Sequence, residues 1–260
     1  MAKEKTKRDK KKPPDGRMTL IEHLAELRKR IIYCAIAVVV CGVVMFILYN
    51  RILHFLSGPY EHVTKGNTTC PGGSKTTGCK LIVTGPLEPL VVRMKVAGYA
   101  GLAAAIPIIF WQIWRFVTPG LHKHERRYGV GFLISGFFLF ALGCVVAWFT
   151  VEKALEFLLK IGGNQVSPFI SADKYLTLVF LLLAAFGIAF EFPLLIIFLL
   201  LIRVVTTTQL RSVRRWMAVG ITAFAAVITP SQDPFSLLFM AIPMYIFYEI
   251  AIIIGRIMKR

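Results

Sequence analysis

The chain is predicted to be an all-α integral membrane protein with six transmembrane helices and both termini on the cytoplasmic side. Three observations predict this. Hydrophobic residues make up 56% of the 260 residues, and mean hydropathy is +0.66. That is more apolar surface than a soluble domain of this length hides. The apolar residues fall in blocks near the roughly 20 residues that a helix needs to cross hydrocarbon. Lys and Arg are also segregated. Of 31, 21 lie in segments 1–30, 116–128, 202–215 and 255–260, whereas the alternate segments 50–91, 151–173 and 230–234 hold 6. Positive charge concentrates on the cytoplasmic side. The formal charge of +17 invites a nucleic-acid reading. These basic residues flank apolar runs, however, and do not interleave with aromatics on a soluble module, so no nucleic acid is expected.

Residues 1–17 form a basic, proline-containing tail that cannot build a core and is expected to be disordered. The first thirty residues are polar, so the first span is expected to act as an uncleaved targeting segment. The membrane domain is predicted over 18–254. Thr19 and Glu22 have capping-box spacing, and Leu20, Leu24, Leu27 and Ile31 share one helical face. A short interfacial helix is therefore expected to run into the first span, 31–49. The other spans are predicted at 92–115, 129–150, 174–201, 213–229 and 235–254, with 255–260 as a short cytoplasmic tail. The fifth is short, about 26 Å at 1.5 Å per residue, and the fourth is long enough to tilt or protrude. Pro107, Pro193 and Pro243 each remove a backbone donor and should kink spans two, four and six.

On the outer side, VEKALEFLLK (151–160) reads as an amphipathic surface helix. Segment 50–91 carries CPGGSKTTGC, whose Cys70 and Cys79 are candidates for a small disulfide ring on an oxidising face. Cys34, Cys41 and Cys144 lie in spans and read as buried thiols. GGSKTTG lacks the residue order of a phosphate loop.

Several charges need an explanation. Glu26 has Glu22 and His23 on its helical face and Arg28, Lys29 and Arg30 beside it. It reads either as a solvated interfacial glutamate or as part of an acidic recognition spot at the membrane edge. Glu125, in FVTPGLHKHERR, has the same two readings. His122, His124 and Glu125 lack metal-ligand spacing, so no metal is expected. Glu191 is the strongest anomaly, because a carboxylate inside a span is expensive. It reads as a protonated or hydrogen-bonded acid packed on another helix, as a polar patch on a concave face, or as a lipid-exposed point that perturbs the bilayer. Asp233 before Pro234 reads as the N-cap of span six. Glu249 is expected to snorkel or pair, and Arg93 and Lys95 to reach headgroups or pair with Glu88. No nucleophile–base set, cofactor cradle or metal cluster emerges, so neither an enzyme nor a cofactor is expected. From the residues alone, a proton-coupled transporter of a small solute ranks first.

HLAELRKR (23–30), WQIWRFVTPGLHKHERR (111–127), FGIAFEFPLLIIFL (186–199), ITP (228–230) and AIPMYIFYEI (241–250) resemble the TatC family in order along the chain. TatC is the multispanning core subunit of the bacterial twin-arginine translocase. The basic tail and the outer cysteine pair suggest an actinobacterial member. The resemblance implies a concave, glove-shaped bundle of six helices in the cytoplasmic membrane. It implies a receptor for twin-arginine signal peptides of folded passenger proteins, driven by the proton-motive force. The implied partners are TatB-like and TatA-like single-span subunits, other copies of the chain and membrane lipid. By the same resemblance the signal-peptide site falls on Glu26, Glu125, His23, Arg28, Phe116, Pro119 and Arg126. Glu191 then faces the concavity, and Asp233 is the outer acidic residue before span six. TPSQD is one residue longer here than the family's TPPD, and the cysteine-bearing outer loop is longer than the family's usual form.

Overall fold

The computed structural model describes residues 20–65, 78–117, 129–161, 170–229 and 233–257. These form helices α1 (Leu20–Ile47), α2 (Tyr49–Val63), α3 (Glu88–Val117), α4 (Gly129–Ile161), α5 (Ala172–Phe190), α6 (Phe192–Leu201), α7 (Thr207–Ser212), α8 (Arg214–Ile228) and α9 (Pro234–Ile257). No strand occurs among the described residues. Five stretches are long and apolar enough to cross a bilayer: α1, α3, α4, the α5–α6 pair and α9. The sixth, α8, has only 15 residues, about 22 Å.

The core is centred on α5, whose Tyr175, Leu176, Val179, Leu182, Phe186 and Phe190 are buried. It packs chiefly on α4, and glycine sets the approach. A Cβ on Gly143 would lie 2.7 Å from the carbonyl oxygen of Phe186. α1 lies outside this core and packs mainly along α3. The two run antiparallel, with Gly42 meeting Gly101, Arg30 meeting Gln112 and His23 meeting Phe116. A Cβ on Gly101 would lie 2.5 Å from the Cα of Gly42, so only small residues permit this backbone approach.

The proline outcomes differ. Span four divides at Glu191, with Pro193 in the first turn of α6, whereas α3 and α9 remain single helices through Pro107 and Pro243. The interfacial segment of the first span is not a separate helix but the first turns of α1. Residues 151–160 likewise continue α4 and do not form a surface helix of their own. An apolar stripe with an i,i+4 Glu156–Lys160 pair extends a helix as readily as it starts one.

The segment read as an outer loop contains α2, anchored where the Tyr175 hydroxyl donates to the Leu56 carbonyl at 2.7 Å. Cys79 is disulfide-bonded, buried, and donates its N–H to Thr64 Oγ1 at 2.8 Å. Cys70 lies outside the described residues. Cys34, Cys41 and Cys144 carry free thiols and are half-buried, not fully buried.

Glu88 does not pair with Arg93 or Lys95. Its carboxylate accepts from the N–H and hydroxyl of Thr84, the Gly85 N–H, the Ser171 hydroxyl and the Asp173 N–H. One side chain therefore satisfies backbone donors at the starts of both α3 and α5. Arg93 lies over the rings of Phe46 and Tyr49, 4.4 and 5.3 Å from their centroids. Lys95 pairs with Asp173 at 2.6 Å. Glu249 pairs with Arg214 at 2.5 Å. Asp233 is the N-cap of α9: its Oδ1 accepts the Ser236 N–H at 2.7 Å.

Candidate signal-peptide site

The register of α1 against α3 assembles the site from two sequence-distant motifs. On α1, His23, Glu26 and Arg30 recur at intervals of three and four residues and so share a face. On α3, Gln112 and Phe116 are one turn apart. The His23 and Phe116 rings stack at 4.3 Å between centroids and 17° between planes. Arg30 Nη2 donates to Glu26 Oε1 at 2.5 Å, and its Nη1 donates to Gln112 Oε1 at 3.0 Å. The arginine thus ties the first helix to the end of the third.

The Glu26–Arg30 pair is mostly withdrawn from solvent, with side chains 18% and 15% exposed. Glu26 Oε2 is buried and has no hydrogen-bond partner among the described residues. A buried carboxylate oxygen without a donor is costly, so Glu26 is poised to accept one. Arg28 is exposed on the same helix. Glu125, Pro119 and Arg126 lie outside the described residues. Sequence reasoning missed Arg30 and Gln112 as members of this cluster. The Glu26 to Arg30 spacing, an i,i+4 acid–base pair, was the available signal for the first. For Gln112 the helix register was needed.

The opposite face of the same stretch of α3 borders a second feature. Phe110, Ile113 and Trp114 line a cavity of about 390 Å³ together with Phe132, Leu133 and Gly136 of α4 and Leu194, Leu195 and Phe198 of α6. Among the described residues, Glu191 is the single charged one on its wall. The absence of a side chain at Gly136 admits it: a Cβ there would lie 3.4 Å from Glu191 Oε2. Glu191 Oε1 is buried without a hydrogen-bond partner among the described residues. Among the described residues no lining side chain is a cation, so Glu191 is the one ionisable group on an apolar wall. Asp233 lies far along the fold from these groups, at the start of α9. Its Oδ2 is also buried and unpartnered among the described residues.

The family described as Sec-independent protein translocase protein (TatC) matches residues 22–243. The TatC protein of Frankia casuarinae is 40% identical over 246 residues, covering 95% of this chain and 68% of the relative. That of Corynebacterium kroppenstedtii is 37% identical over 268 residues, covering 97% of this chain and 65% of the relative. The chain thus spans about two thirds of the length of these two relatives, and both agree with the expected actinobacterial source. A crystal structure of the twin-arginine translocase receptor TatC superposes with a TM-score of 0.73 at 34% identity, covering 92% of this chain and all of that one. The order of apolar helices, the joined HLAELRKR and WQIWRF motifs and these likenesses agree: the chain belongs to the TatC family, as a multi-pass membrane component of Sec-independent protein translocation.

Proposed function

We propose that this chain is the receptor for signal peptides bearing two consecutive arginines, and that Glu26 and Glu125 each receive one guanidinium. The observation that carries the reading is the Glu26 carboxylate, with Oε1 on Arg30 and Oε2 buried and unpartnered among the described residues. A guanidinium presents five donors in a planar fork. It engages a carboxylate through directed bonds whose geometry an ammonium does not reproduce. The His23–Phe116 stack, one turn from Glu26, supplies a flat aromatic wall for such a planar cation. Pro119 belongs to the same site. Arg28, Arg126 and the surrounding positive charge reject basic segments whose arginines are misplaced. The apolar stretch of the signal lies in the cavity beside Glu191.

In this reading both termini face the cytoplasm of a bacterial cell, and the proton-motive force drives export of the folded passenger. TatB-like and TatA-like single-span subunits, further copies of the chain and membrane lipid complete the assembly. Asp233 acts on the outer side, and Cys70 closes the outer ring with Cys79. No observation favours the alternative of a small-solute transporter. The test is binding of the purified chain to a labelled twin-arginine peptide with its twin-lysine version as competitor. At least tenfold preference for arginine is expected. Equal binding of the two peptides by folded protein would refute the reading.

A further inference from the structure

Arg28 and Lys29 are exposed and supply the positive charge expected beside a span. Arg30 is placed differently. Its side chain is 15% exposed, and its guanidinium is divided between two helices. Nη2 donates to Glu26 Oε1 at 2.5 Å, and Nη1 donates to Gln112 Oε1 on α3 at 3.0 Å. Glu26 is the one carboxylate paired with Arg30 among the described residues. It is gripped by a single arm on a single oxygen, while Oε2 stays buried without a hydrogen-bond partner among the described residues.

A guanidinium engages a carboxylate most strongly through two parallel N–H···O bonds, one to each oxygen. At Glu26 the protein's own arginine already holds one of those oxygens. A cation from outside therefore either stops at Oε2, beside the positive Arg30, or takes both oxygens and releases it. Release does not strand Arg30, because Gln112 keeps its Nη1. Nor does it open the helix pair, whose close approach is set at Gly42 and Gly101. An ammonium has no planar fork to place on the second oxygen.

We propose that Arg30 is a specificity-determining residue: it occupies Glu26 in the empty receptor, and a signal-peptide arginine binds by exchanging with it. The exchange rests on the receptor role of Glu26 given above. The incoming guanidinium docks on Oε2 and then takes Oε1, while Arg30 withdraws onto Gln112. One guanidinium replaces another, so the carboxylate is never left without a cation. The internal occupant sets a threshold. It weakens any ligand that needs Oε1 by the fraction of receptor in which Glu26 is open, and it leaves a one-armed cation beside a like charge.

The test measures binding of the twin-arginine and twin-lysine peptides to the full chain and to folded Arg30→Gln. Removing the occupant should tighten twin-arginine binding roughly three- to thirtyfold. A residue that merely ties α1 to α3 would weaken it instead, and unchanged or weaker binding overturns the proposal. Lys29→Gln removes the same charge from an exposed position, and an equal gain there would assign the effect to net charge and overturn it too. A second measurement needs no variant to fold for its reading: NMR of the unmodified chain with ¹⁵N-arginine follows the Arg30 Nη resonance, assigned through Arg30→Lys. Saturating twin-arginine peptide should shift it as Arg30 leaves Glu26, and twin-lysine peptide should leave it in place. An unmoved resonance, or the same shift with both peptides, overturns the exchange. Equal affinity of the unmodified chain for the two peptides would refute the receptor reading itself, whereas a retained arginine preference with Arg30 unmoved refutes the exchange alone.

Discussion

Lys95 of α3 and Asp173 of α5 form an ion pair at 2.6 Å, and Lys95 Nζ also donates to Thr177 Oγ1 at 3.2 Å. Both charged side chains are about two-thirds buried. The pair lies at the Glu88 end of α3, opposite Glu26, and joins the first-turn residues of α5 to the helix that carries half of the candidate site. Removing one partner strands the other charge in a partly desolvated place. Asp173→Asn and Lys95→Met should each destabilise by about 1–3 kcal/mol. The double variant should cost less than the sum. Thermal unfolding of the four proteins in detergent measures this, and full additivity would show that the pair is not coupled.

The close approach of Gly42 and Gly101 leads to a second prediction. Gly101→Leu places atoms where the Gly42 backbone now sits. It should pry α1 from α3 and separate Arg30 from Gln112. Peptide binding should fall together with protease resistance of α1, although neither glycine touches a ligand. Gly220→Ala, where a Cβ meets nothing within 4 Å, is the control and should be neutral.

Asp233 caps α9 through Oδ1 and leaves Oδ2 buried without a partner among the described residues. Asp233→Ala should lower stability by about 0.5–2 kcal/mol, and Asp233→Asn or Asp233→Ser should recover most of it. Transport assays on the recovered variants separate the cap from a role of the charge. Full transport by Asp233→Asn would leave capping as the whole of its function.

Cys79 is disulfide-bonded, whereas Cys34, Cys41 and Cys144 are free. Alkylation of denatured, unreduced protein should therefore add three labels by intact mass, rising to five after reduction. Five labels without reductant would contradict the bond.

How far the fold and site could be read from residues varied from element to element. The all-α class and the six apolar crossings were legible because periodicity and charge segregation act locally. The meeting of HLAELRKR with WQIWRF was implied only by family resemblance. Its physical cause, the antiparallel register set at Gly42 and Gly101, is a tertiary fact. α2 was missed because its sequence is mixed polar with Pro59 inside; it packs on α4 and α3 and is held by Tyr175 of α5, contacts that no local pattern announces. The choice of partners at the Glu88 end was also unreadable. Glu88 had Arg93 and Lys95 within two turns, yet Thr84 and Gly85 take its Oε2 and donors at the start of α5, 83 to 85 residues away, take its Oε1. Local spacing finds i,i+4 pairs such as Glu26 with Arg30, and it is blind to competition from across the bundle.

The most direct test of the central claim is the affinity of folded Glu26→Gln for the twin-arginine peptide and its twin-lysine version, measured beside the unmodified chain. A lost charge-assisted pair of this kind is worth about 1.5–3 kcal/mol. The account therefore predicts roughly ten- to hundredfold weaker binding of the twin-arginine peptide, a much smaller change for twin-lysine, and collapse of the preference between them. Unchanged affinity and unchanged preference would contradict it and leave Glu26 as no more than the internal partner of Arg30.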